Sequence, residues 1–442
     1  MKKTTLFGIG LFYLQMISAQ VEKDSSLKSE KNYSFHIQST IIPQYHFDFT
    51  APYQGDNSLL ASEPVQTSFS ATIFIQHKMA KHSYWVFNLE AAGGKGLSKT
   101  LGIAGFPNGE VYRVGDPNPK PFIARLYFEQ RFPLSKRMGL VDDDLNQVAE
   151  KTNQDYVSVI VGKFSLTDFF DDSQISHDPR TQFMNWSLMG NGGWDYPANT
   201  RGYTMGAVIQ ALYHDWAFRT ALTTVPIEAN GPELQFKWGK AMGMVWELEK
   251  THLFQRNATH FTTLHSGIFW NKAQMGNYRE SIDKAGAAAP DITDSRMYGR
   301  DKWGFYLSFD NHFGSVHHFI KGSWNDGRNE TWAFTEIDRS FTTGIQFDGN
   351  IWKRKQDKFA MAYVSNGISP DHRNYLSKGG YGFLIGDGKL NYRSENIIEA
   401  YYSFGIGKLL QVSPDYQLVV NPAYNADRGP VNIFALRLHV EW

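Results

Sequence analysis

The sequence lacks cysteine, an excess of charge of either sign, and long apolar runs. Without cysteine the chain forms no disulfide framework and carries no lipid anchor on an N-terminal cysteine. The 44 basic residues balance the 44 acidic ones and no basic run occurs, so the electrostatic signature of a nucleic-acid-binding protein is missing. No segment approaches about 18 consecutive apolar residues, which excludes membrane-spanning helices.

The first residues predict export from the cytoplasm. Lys2 and Lys3 precede a short apolar run from Leu6 to Met16, and small residues follow before Gln20. A basic start, a brief apolar run and small residues form the pattern of a secretory signal peptide. We therefore expect a signal peptide over residues 1–19, a loose segment over residues 20–31, and a single folded domain over residues 32–442.

Aromatic residues and glycine are abundant in a chain that is polar on average. Aromatic residues make up 15% of the sequence, glycine occurs 39 times, and the mean hydropathy is −0.41. Apolar and polar residues alternate repeatedly, for example in 33–38, 69–78, 84–91, 124–131 and 398–404. Alternation with a period of two places apolar side chains on one face of a β-strand and polar side chains on the other.

The alternation predicts an all-β fold, a transmembrane antiparallel β-barrel with a water-filled lumen. Charges lie in the middle of the polar faces, and aromatic residues lie at the ends of the apolar faces, as in the girdles of barrels in membranes. In lipid such a sheet must close, because an open edge leaves backbone groups unpaired. At roughly 10 residues per strand the chain accommodates about 16 strands (16–18). A secreted β-sandwich that binds sugar is the soluble alternative.

The last strand shows both faces of the predicted wall. Its apolar face comprises Phe434, Leu436, Leu438, Val440 and Trp442, and its polar face comprises Arg437, His439 and Glu441. We expect the apolar face to meet lipid and the strand to pair with the first one near 33–37. A terminal aromatic residue resembles the signal by which the barrel-assembly machinery recognises its clients, although phenylalanine is the usual residue there.

Polar residues on the predicted strands are candidates for lining the lumen. Arginine donates hydrogen bonds in a planar fork, carboxylates accept them, and aromatic rings offer an apolar platform. Each residue also has a structural alternative, since inward charges commonly pair and brace a barrel wall. By alternation the inward set is Arg125, Tyr127, Glu129, Arg131, Arg219, Glu247, Glu249, Glu399, Tyr401 and Arg437.

Two longer stretches carry a family resemblance. Residues 177–206 read HDPRTQFMNWSLMGNGGWDYPANTRGYTMG, and residues 378–430 include GDG, NYRSE, DYQ and NPAYNADRGP. From about residue 120 onward the chain resembles the carbohydrate-selective porin family of Gram-negative outer membranes. The motif residues that carry the resemblance include Asp178, Arg180, Trp194, Asp195, Arg201, Asp387, Asn421 and Arg428.

The resemblance implies a monomeric or trimeric outer-membrane barrel that lets monosaccharides or small oligosaccharides diffuse through its lumen. Arg180, Trp194, Asp195 and Arg201 have a second interpretation, because the Gly and Pro around them favour a structural role in folding a loop. A porin for another small solute, an anion or a uronate polymer, is the alternative function. It would need a lumen rich in unpaired cationic side chains.

Other chemistry has weaker support in the sequence. Two kinds of residue group could bind metal: the His317-His318 pair and the acidic groups at 142–144 and 171–172. Alternation places the two histidines on opposite faces of a strand. The acidic groups are more typical of solvated loops. No spacing marks a catalytic triad, which argues against a barrel enzyme. We expect no cofactor, no metal and no catalytic site.

Overall fold

The computed structural model describes residues 31–111 and 118–442. The predicted signal peptide and nearly all of the predicted loose segment lie outside the described residues. The large sheet is antiparallel throughout, and its strands pair in chain order from the first long strand to the last. The first strand pairs with both the second and the last, which closes the sheet into a barrel.

Sixteen long strands form the barrel wall, which confirms the predicted architecture. Their bounds are β1 (Tyr33–His46), β2 (Gln66–Ala80), β3 (Ser83–Gly94), β4 (Lys120–Pro133), β7 (Tyr156–Phe164), β8 (Thr204–Tyr213), β9 (Trp216–Thr223), β12 (Met242–Lys250), β14 (His260–Ala273), β15 (Arg300–Phe313), β16 (Val316–Asn325), β17 (Arg339–Asp348), β18 (Lys358–Gly367), β19 (Glu395–Ile406), β20 (Leu410–Val420) and β21 (Val431–Glu441).

Short elements occupy the connections between the long strands. The short strands are β5 (Met138–Val141), β6 (Glu150–Asn153), β10 (Val225–Pro226), β11 (Leu234–Gln235) and β13 (Gln255–Asn257). The α-helices are α1 (Trp186–Met189), α2 (Tyr278–Ala285) and α3 (Pro370–Ser377), and single 3₁₀ turns cover Leu97–Lys99, Leu166–Asp168, Ile292–Ser295, Gly349–Trp352 and Pro422–Tyr424. Among the described residues, no helix is long and apolar enough to cross a membrane.

The last strand pairs with the first at the seam of the barrel. The register places Gln38 opposite Glu441 and Ile41 opposite Leu438. The backbone groups of Ile37 and Trp442 exchange two hydrogen bonds, each 2.8 Å long. Both chain ends of the domain therefore lie at the same end of the barrel, which we call the terminus end.

The two faces of each wall strand differ as the alternation requires. Phe434 of β21 and Trp442, the residue after it, are 44% and 63% exposed, whereas Arg437 and His439 of β21 are each 1% exposed. The exposed face is apolar and the buried face is polar, which is the reverse of a soluble sheet packed on a core. The outer face of β21 therefore suits lipid, and its charged side chains point inward.

The connections differ between the two ends of the barrel. At the terminus end several are tight turns, at 81–82, 214–215, 314–315 and 407–409. At the opposite end, which we call the loop end, the connections are longer: 47–65, 165–203, 224–241, 274–299, 326–338, 368–394 and 421–430, together with the described parts of 95–119. Several of these loops fold inward.

The inward-folded loops build a core inside the barrel. Trp194 and Trp332 are fully buried there, and Phe106, Phe170 and Tyr424 are buried in the same cluster. Packing of this kind excludes water and holds the loops in one conformation. Within the part of the chain that the structure describes, the inward-folded loops therefore fill part of the lumen.

Candidate functional site

A cavity of about 510 Å³ lies between one side of the barrel wall and the loop of residues 165–203. We call this loop the inserted segment. The wall contributes residues of β1 to β4, including Gln38, Phe74 and Glu90. The inserted segment supplies much of the opposite side, and residues of the connections 95–119, 134–155, 224–241 and 326–338 complete the lining.

The inserted segment is tied to the wall by buried charges. The Glu399 carboxylate accepts hydrogen bonds from the Met184 and Asn185 backbone N–H groups at 2.6 and 3.0 Å. The Lys321 ammonium donates to the Ser176 carbonyl at 2.6 Å. Hydrogen bonds to charged groups inside a protein are stronger than those between neutral groups. These contacts fix the inserted segment against β16 and β19.

A further carboxylate joins the inserted segment to the loop-end connection 326–338. Asp195 accepts hydrogen bonds from the backbone N–H groups of Trp332, Ala333 and Phe334 at 2.8, 2.8 and 2.9 Å. Next to it, Trp194 packs on Tyr306 with ring centroids 5.1 Å apart. Trp194 and Asp195 thus follow the structural interpretation of the motif, since they shape the loops behind the cavity.

Arg180 forms the first charged group on the cavity surface. Its Nη2 donates to Glu90 at 2.9 Å and its Nε donates to Glu110 at 2.8 Å. The Tyr203 hydroxyl also donates to Glu90, at 3.2 Å. Burial disfavours the ionised form of Asp178, but the Arg180 guanidinium and local hydrogen bonds still hold the pKa of that carboxyl below its usual value.

Arg125 and Asp168 form the second charged group. Arg125 donates to both carboxylate oxygens of Asp168, from Nε at 2.7 Å and from Nη2 at 2.5 Å. The guanidinium also lies 5.4 Å from the centroid of the Tyr203 ring. Its remaining nitrogen, Nη1, has no hydrogen-bond partner within the part of the chain that the structure describes. This pair offers both a donor and acceptor oxygens beside the cavity.

Aromatic rings form part of the cavity surface. Tyr196 packs on Phe334 with ring centroids 4.4 Å apart, and Trp186 stacks on the same ring at 5.7 Å. The Arg201 guanidinium lies 4.0 Å from the centroid of the Phe122 ring. The cavity surface therefore combines apolar ring faces with hydrogen-bonding groups. A cyclic solute that carries both hydroxyl and C–H groups can contact the two kinds of surface at once.

Two of the ten residues predicted to line the lumen, Arg125 and Tyr127, line this cavity. Others hold the inserted segment: besides Glu399, Arg437 donates to the Pro179 carbonyl at 2.9 Å, and Tyr401 packs on Phe183 with centroids 5.1 Å apart. A solute-contacting role for these residues stays a prediction.

The remaining predicted residues pair with each other along the inner wall. Arg131 donates to Glu129 from Nε at 2.7 Å, and Arg219 donates to Glu247 at 3.1 Å. These pairs correspond to the bracing alternative, in which opposite charges on neighbouring inward positions neutralise one another. They lie outside the lining of the cavity.

The C-terminal motif residues organise the loop end. Arg428 donates to the backbone carbonyls of Tyr53 and Leu59, and its Nε lies 3.5 Å from Asp387. Burial raises the pKa of Asp387. Asn421 adopts a left-handed backbone with φ of 56°, and its side chain donates to the Ser394 carbonyl. These residues connect loops to each other and are absent from the cavity lining.

Sequence reasoning missed several cavity residues. Glu90 carries the same alternation signal as the predicted set, but Glu110 and Asp168 lie in connections, where no periodicity marks which way a side chain points. Of the histidine pair, His317 points inward beside His312, and His318 lies on the outer face with its Nε2 3.1 Å from Thr343. The two rings therefore do not share a metal.

Comparison with known sequences finds porins. The model of the carbohydrate-selective porin, OprB family, matches residues 62–442. Porin AaxA of Chlamydia abortus is 19% identical over 426 residues, covering 93% of this chain and 78% of the relative. Porin AaxA of Chlamydia felis is 20% identical over 418 residues, with the same shares covered.

Solved structures of porins and channels share the fold. The high-pH structure of Pseudomonas putida OprB aligns with a TM-score of 0.68 at 12% identity, covering 93% of this chain and 94% of that chain. The outer membrane channel DcaP of Acinetobacter baumannii aligns with a TM-score of 0.53 at 7% identity, covering 93% and 97%. At these identities the likeness extends to the barrel architecture alone.

Proposed function

The chain belongs to the carbohydrate-selective porin, OprB family, and we propose that it lets monosaccharides or small oligosaccharides diffuse through its lumen cavity. Its barrel fold and its family make it an outer-membrane porin. In this role the terminus end faces the periplasm and the loop end faces outward. The preference for carbohydrate over other solutes is the part that requires a test.

The extent of the cavity along the barrel is the observation that carries the proposal. Leu145 and Asn146, from the terminus-end connection 134–155, line the same cavity as Asn230 and Ala333 from the loop end. One space therefore reaches chain segments from both ends of the barrel. A solute that enters this cavity from the loop end therefore contacts side chains of a connection at the terminus end.

The balance of charges on the cavity surface favours a neutral solute. Its described lining includes the carboxylates of Glu90, Glu110, Asp168 and Asp178 and the guanidinium groups of Arg125, Arg180 and Arg201. Arg180 and Arg125 are each held by carboxylates at hydrogen-bond distance. A pore selective for anions would instead present cationic groups without such partners.

Charged side chains that pair with each other can still form hydrogen bonds with the hydroxyl groups of a sugar. A guanidinium held by one or two carboxylates keeps donors for hydroxyl oxygens, and the carboxylates keep lone pairs for hydroxyl protons. The aromatic faces of Tyr196 and Trp186 contact the C–H surface of a sugar ring. The volume of about 510 Å³ falls within the range of sites for small ligands.

Liposome swelling tests the proposal. Purified, correctly folded protein is reconstituted into liposomes, and swelling is followed in solutions of a hexose, a disaccharide and longer oligosaccharides, with protein-free liposomes as control. We expect rapid swelling in hexose and slower swelling as the sugar lengthens. Folded barrels that admit none of these sugars would contradict the proposal. Strong anion selectivity in a salt gradient would favour the alternative solute class.

Assembly and export complete the proposal. We propose that residues 1–19 are removed as a signal peptide, and that the barrel-assembly machinery recognises β21 through Trp442. The apolar outer face supports contact with lipid around the whole barrel, as in a monomer, and is equally compatible with a trimer. Chemical cross-linking of the protein in outer membranes distinguishes the two assemblies.

A further inference from the structure

We propose that Glu247, Glu249 and His265 bind a divalent transition-metal ion on the inner wall of the barrel. The three residues lie on the adjacent strands β12 and β14, and Glu249 and His265 are register partners. One nitrogen of His265 and one oxygen of each carboxylate lie within 4.8 Å of one another. Among the described residues, this is the group of three whose ligand atoms converge in this way.

The imidazole of His265 points its Nδ1 at both carboxylates without reaching either. The distances are 4.0 Å to Glu247 Oε1 and 3.9 Å to Glu249 Oε2, both too long for a hydrogen bond. His265 is 3% exposed, and its Nδ1 has no hydrogen-bond partner among the residues that the structure describes. A buried ring nitrogen without a partner is costly, and an ion between the three atoms removes that cost.

The spacing of the three atoms suits a metal after a small contraction. Ligand bonds of about 2.1 Å to nitrogen and oxygen place neighbouring ligand atoms about 3.4 Å apart in a tetrahedral site. The two nitrogen–oxygen separations, 4.0 and 3.9 Å, exceed this by roughly half an ångström, and the two carboxylate oxygens lie within 4.8 Å of each other.

The other carboxylate oxygens are occupied, which orients the two glutamates. Glu247 Oε2 accepts hydrogen bonds from the Asp171 backbone N–H and the Tyr306 hydroxyl, each at 2.7 Å. Glu249 Oε1 accepts from the Thr251 hydroxyl at 3.0 Å. Such outer contacts commonly fix metal-binding carboxylates in place. They leave Oε1 of Glu247 and Oε2 of Glu249 facing the imidazole.

Arg219 neutralises part of the negative charge. Its Nη1 lies 3.1 Å from Glu247 Oε1 and 2.6 Å from Glu249 Oε2. Two carboxylates, one guanidinium and a neutral imidazole still carry a net negative charge, and each carboxylate oxygen keeps a second lone pair. The competing occupant is a proton on His265 Nδ1, which forms an ion pair but no hydrogen bond at these distances.

The ligand set defines the class of ion. An imidazole with two carboxylates suits Zn²⁺, Mn²⁺, Fe²⁺, Co²⁺ or Ni²⁺, whereas Mg²⁺ and Ca²⁺ prefer oxygen ligands throughout. A bound ion would join β12 to β14. Through the hydrogen bond between Glu247 and Asp171 it would also steady the inserted segment.

Zinc binding to the folded protein tests the inference. Untagged, full-length barrels in detergent are stripped with chelator and titrated with Zn²⁺ in a calorimeter, and Co²⁺ absorption provides a second readout. We expect one Zn²⁺ per chain and no competition from excess Mg²⁺. Folded wild-type protein that binds no Zn²⁺ under these conditions overturns the proposal.

Matched variants locate the site. We expect His265→Ala to weaken Zn²⁺ binding by at least about tenfold, and His312→Ala, which removes another buried inward histidine, to leave it unchanged. If His265→Ala does not fold, Glu249→Gln carries the test, because that side chain is partly exposed. Unchanged binding in either folded cluster variant, or loss of binding in His312→Ala alone, refutes the assignment.

Discussion

Arg437 Nη1 donates a hydrogen bond to the Pro179 carbonyl oxygen at 2.9 Å. Arg437 lies on β21, the strand that closes the barrel, and Pro179 lies in the inserted segment. The Gln182 carbonyl accepts from the same nitrogen. One buried cation therefore links the seam of the barrel to the loop that narrows its lumen.

Replacing Arg437 should widen the lumen. Arg437→Met removes the donor from one buried and one partly buried carbonyl, and an unsatisfied buried group costs about 1–3 kcal/mol. We expect the inserted segment to loosen, so that longer oligosaccharides enter faster relative to hexose in liposome swelling. Arg354→Met, in an exposed terminus-end turn, is the control. An unchanged size dependence in the Arg437 variant would show that other contacts alone hold the segment.

The ion selectivity of the pore should follow the charges around Arg180. Arg180→Gln leaves Glu90 and Glu110 without their shared cation, so the cavity becomes more negative and favours cations. Glu90→Gln has the opposite effect on the same group. The reversal potential of single channels in a salt gradient should shift in opposite directions in the two variants. Shifts of the same sign would place the selectivity outside this cavity.

Loss of Trp442 should impair assembly before it affects transport. Trp442 exchanges two backbone hydrogen bonds with Ile37, and its ring lies edge-on to Phe35 at 6.1 Å. We expect deletion of Trp442 to lower the amount of heat-modifiable, folded barrel in the outer membrane. Trp442→Phe, which keeps an aromatic ring and both backbone bonds, should assemble normally. Full assembly of the deletion variant would rule out this role.

Asp195 should contribute strongly to stability. Asp195→Ala removes the acceptor of three buried backbone N–H groups. With each lost bond to a charged acceptor worth about 1.5–3 kcal/mol, we expect a free energy of unfolding lower by at least about 3 kcal/mol. Asp371→Ala, which breaks an ion pair with the exposed Arg279, should change it by less than about 1 kcal/mol. Denaturant unfolding of the two variants compares them.

Acid should remove the contribution of Asp155 to the stability of the folded protein. Asp155 lies in a connection at the terminus end. Hydrogen bonds from Arg137 and Ser135 hold the pKa of Asp155 well below its usual value. Because the folded-state pKa is depressed, the stabilisation is complete above the unfolded-state pKa of about 4 and is lost as the pH falls further. The difference in unfolding temperature between wild type and Asp155→Asn should be constant above about pH 5 and shrink below about pH 4. A difference independent of pH would contradict the ion pair.

The wall of the barrel was predictable because its signal is local. Alternation along β21 assigned Phe434 and Trp442 to the outside and Arg437 to the inside, and the exposed fractions agree. Closure followed from the same argument, since a sheet in lipid cannot leave an edge unpaired. Both conclusions needed only the strand itself and the solvent on each side of it.

The lining of the cavity was predictable only in part. Arg125 and Glu399 carry the same inward signal, yet Arg125 borders the cavity and Glu399 binds the backbone of the inserted segment. Asp168 and Glu110 line the cavity from connections that have no periodicity. Which inward side chain meets water depends on where a distant loop lies.

The sequence by itself determined the barrel, its two faces and the position of its seam, because alternation of period two is read from neighbouring residues. The tertiary structure decided where the lumen stays open. The inserted segment is placed by contacts with β16, β19 and β21, which lie far from it in sequence. Such contacts form between groups whose spacing along the chain does not indicate their distance in space. They separate the residues that line the cavity from those that hold the inserted segment and the wall together.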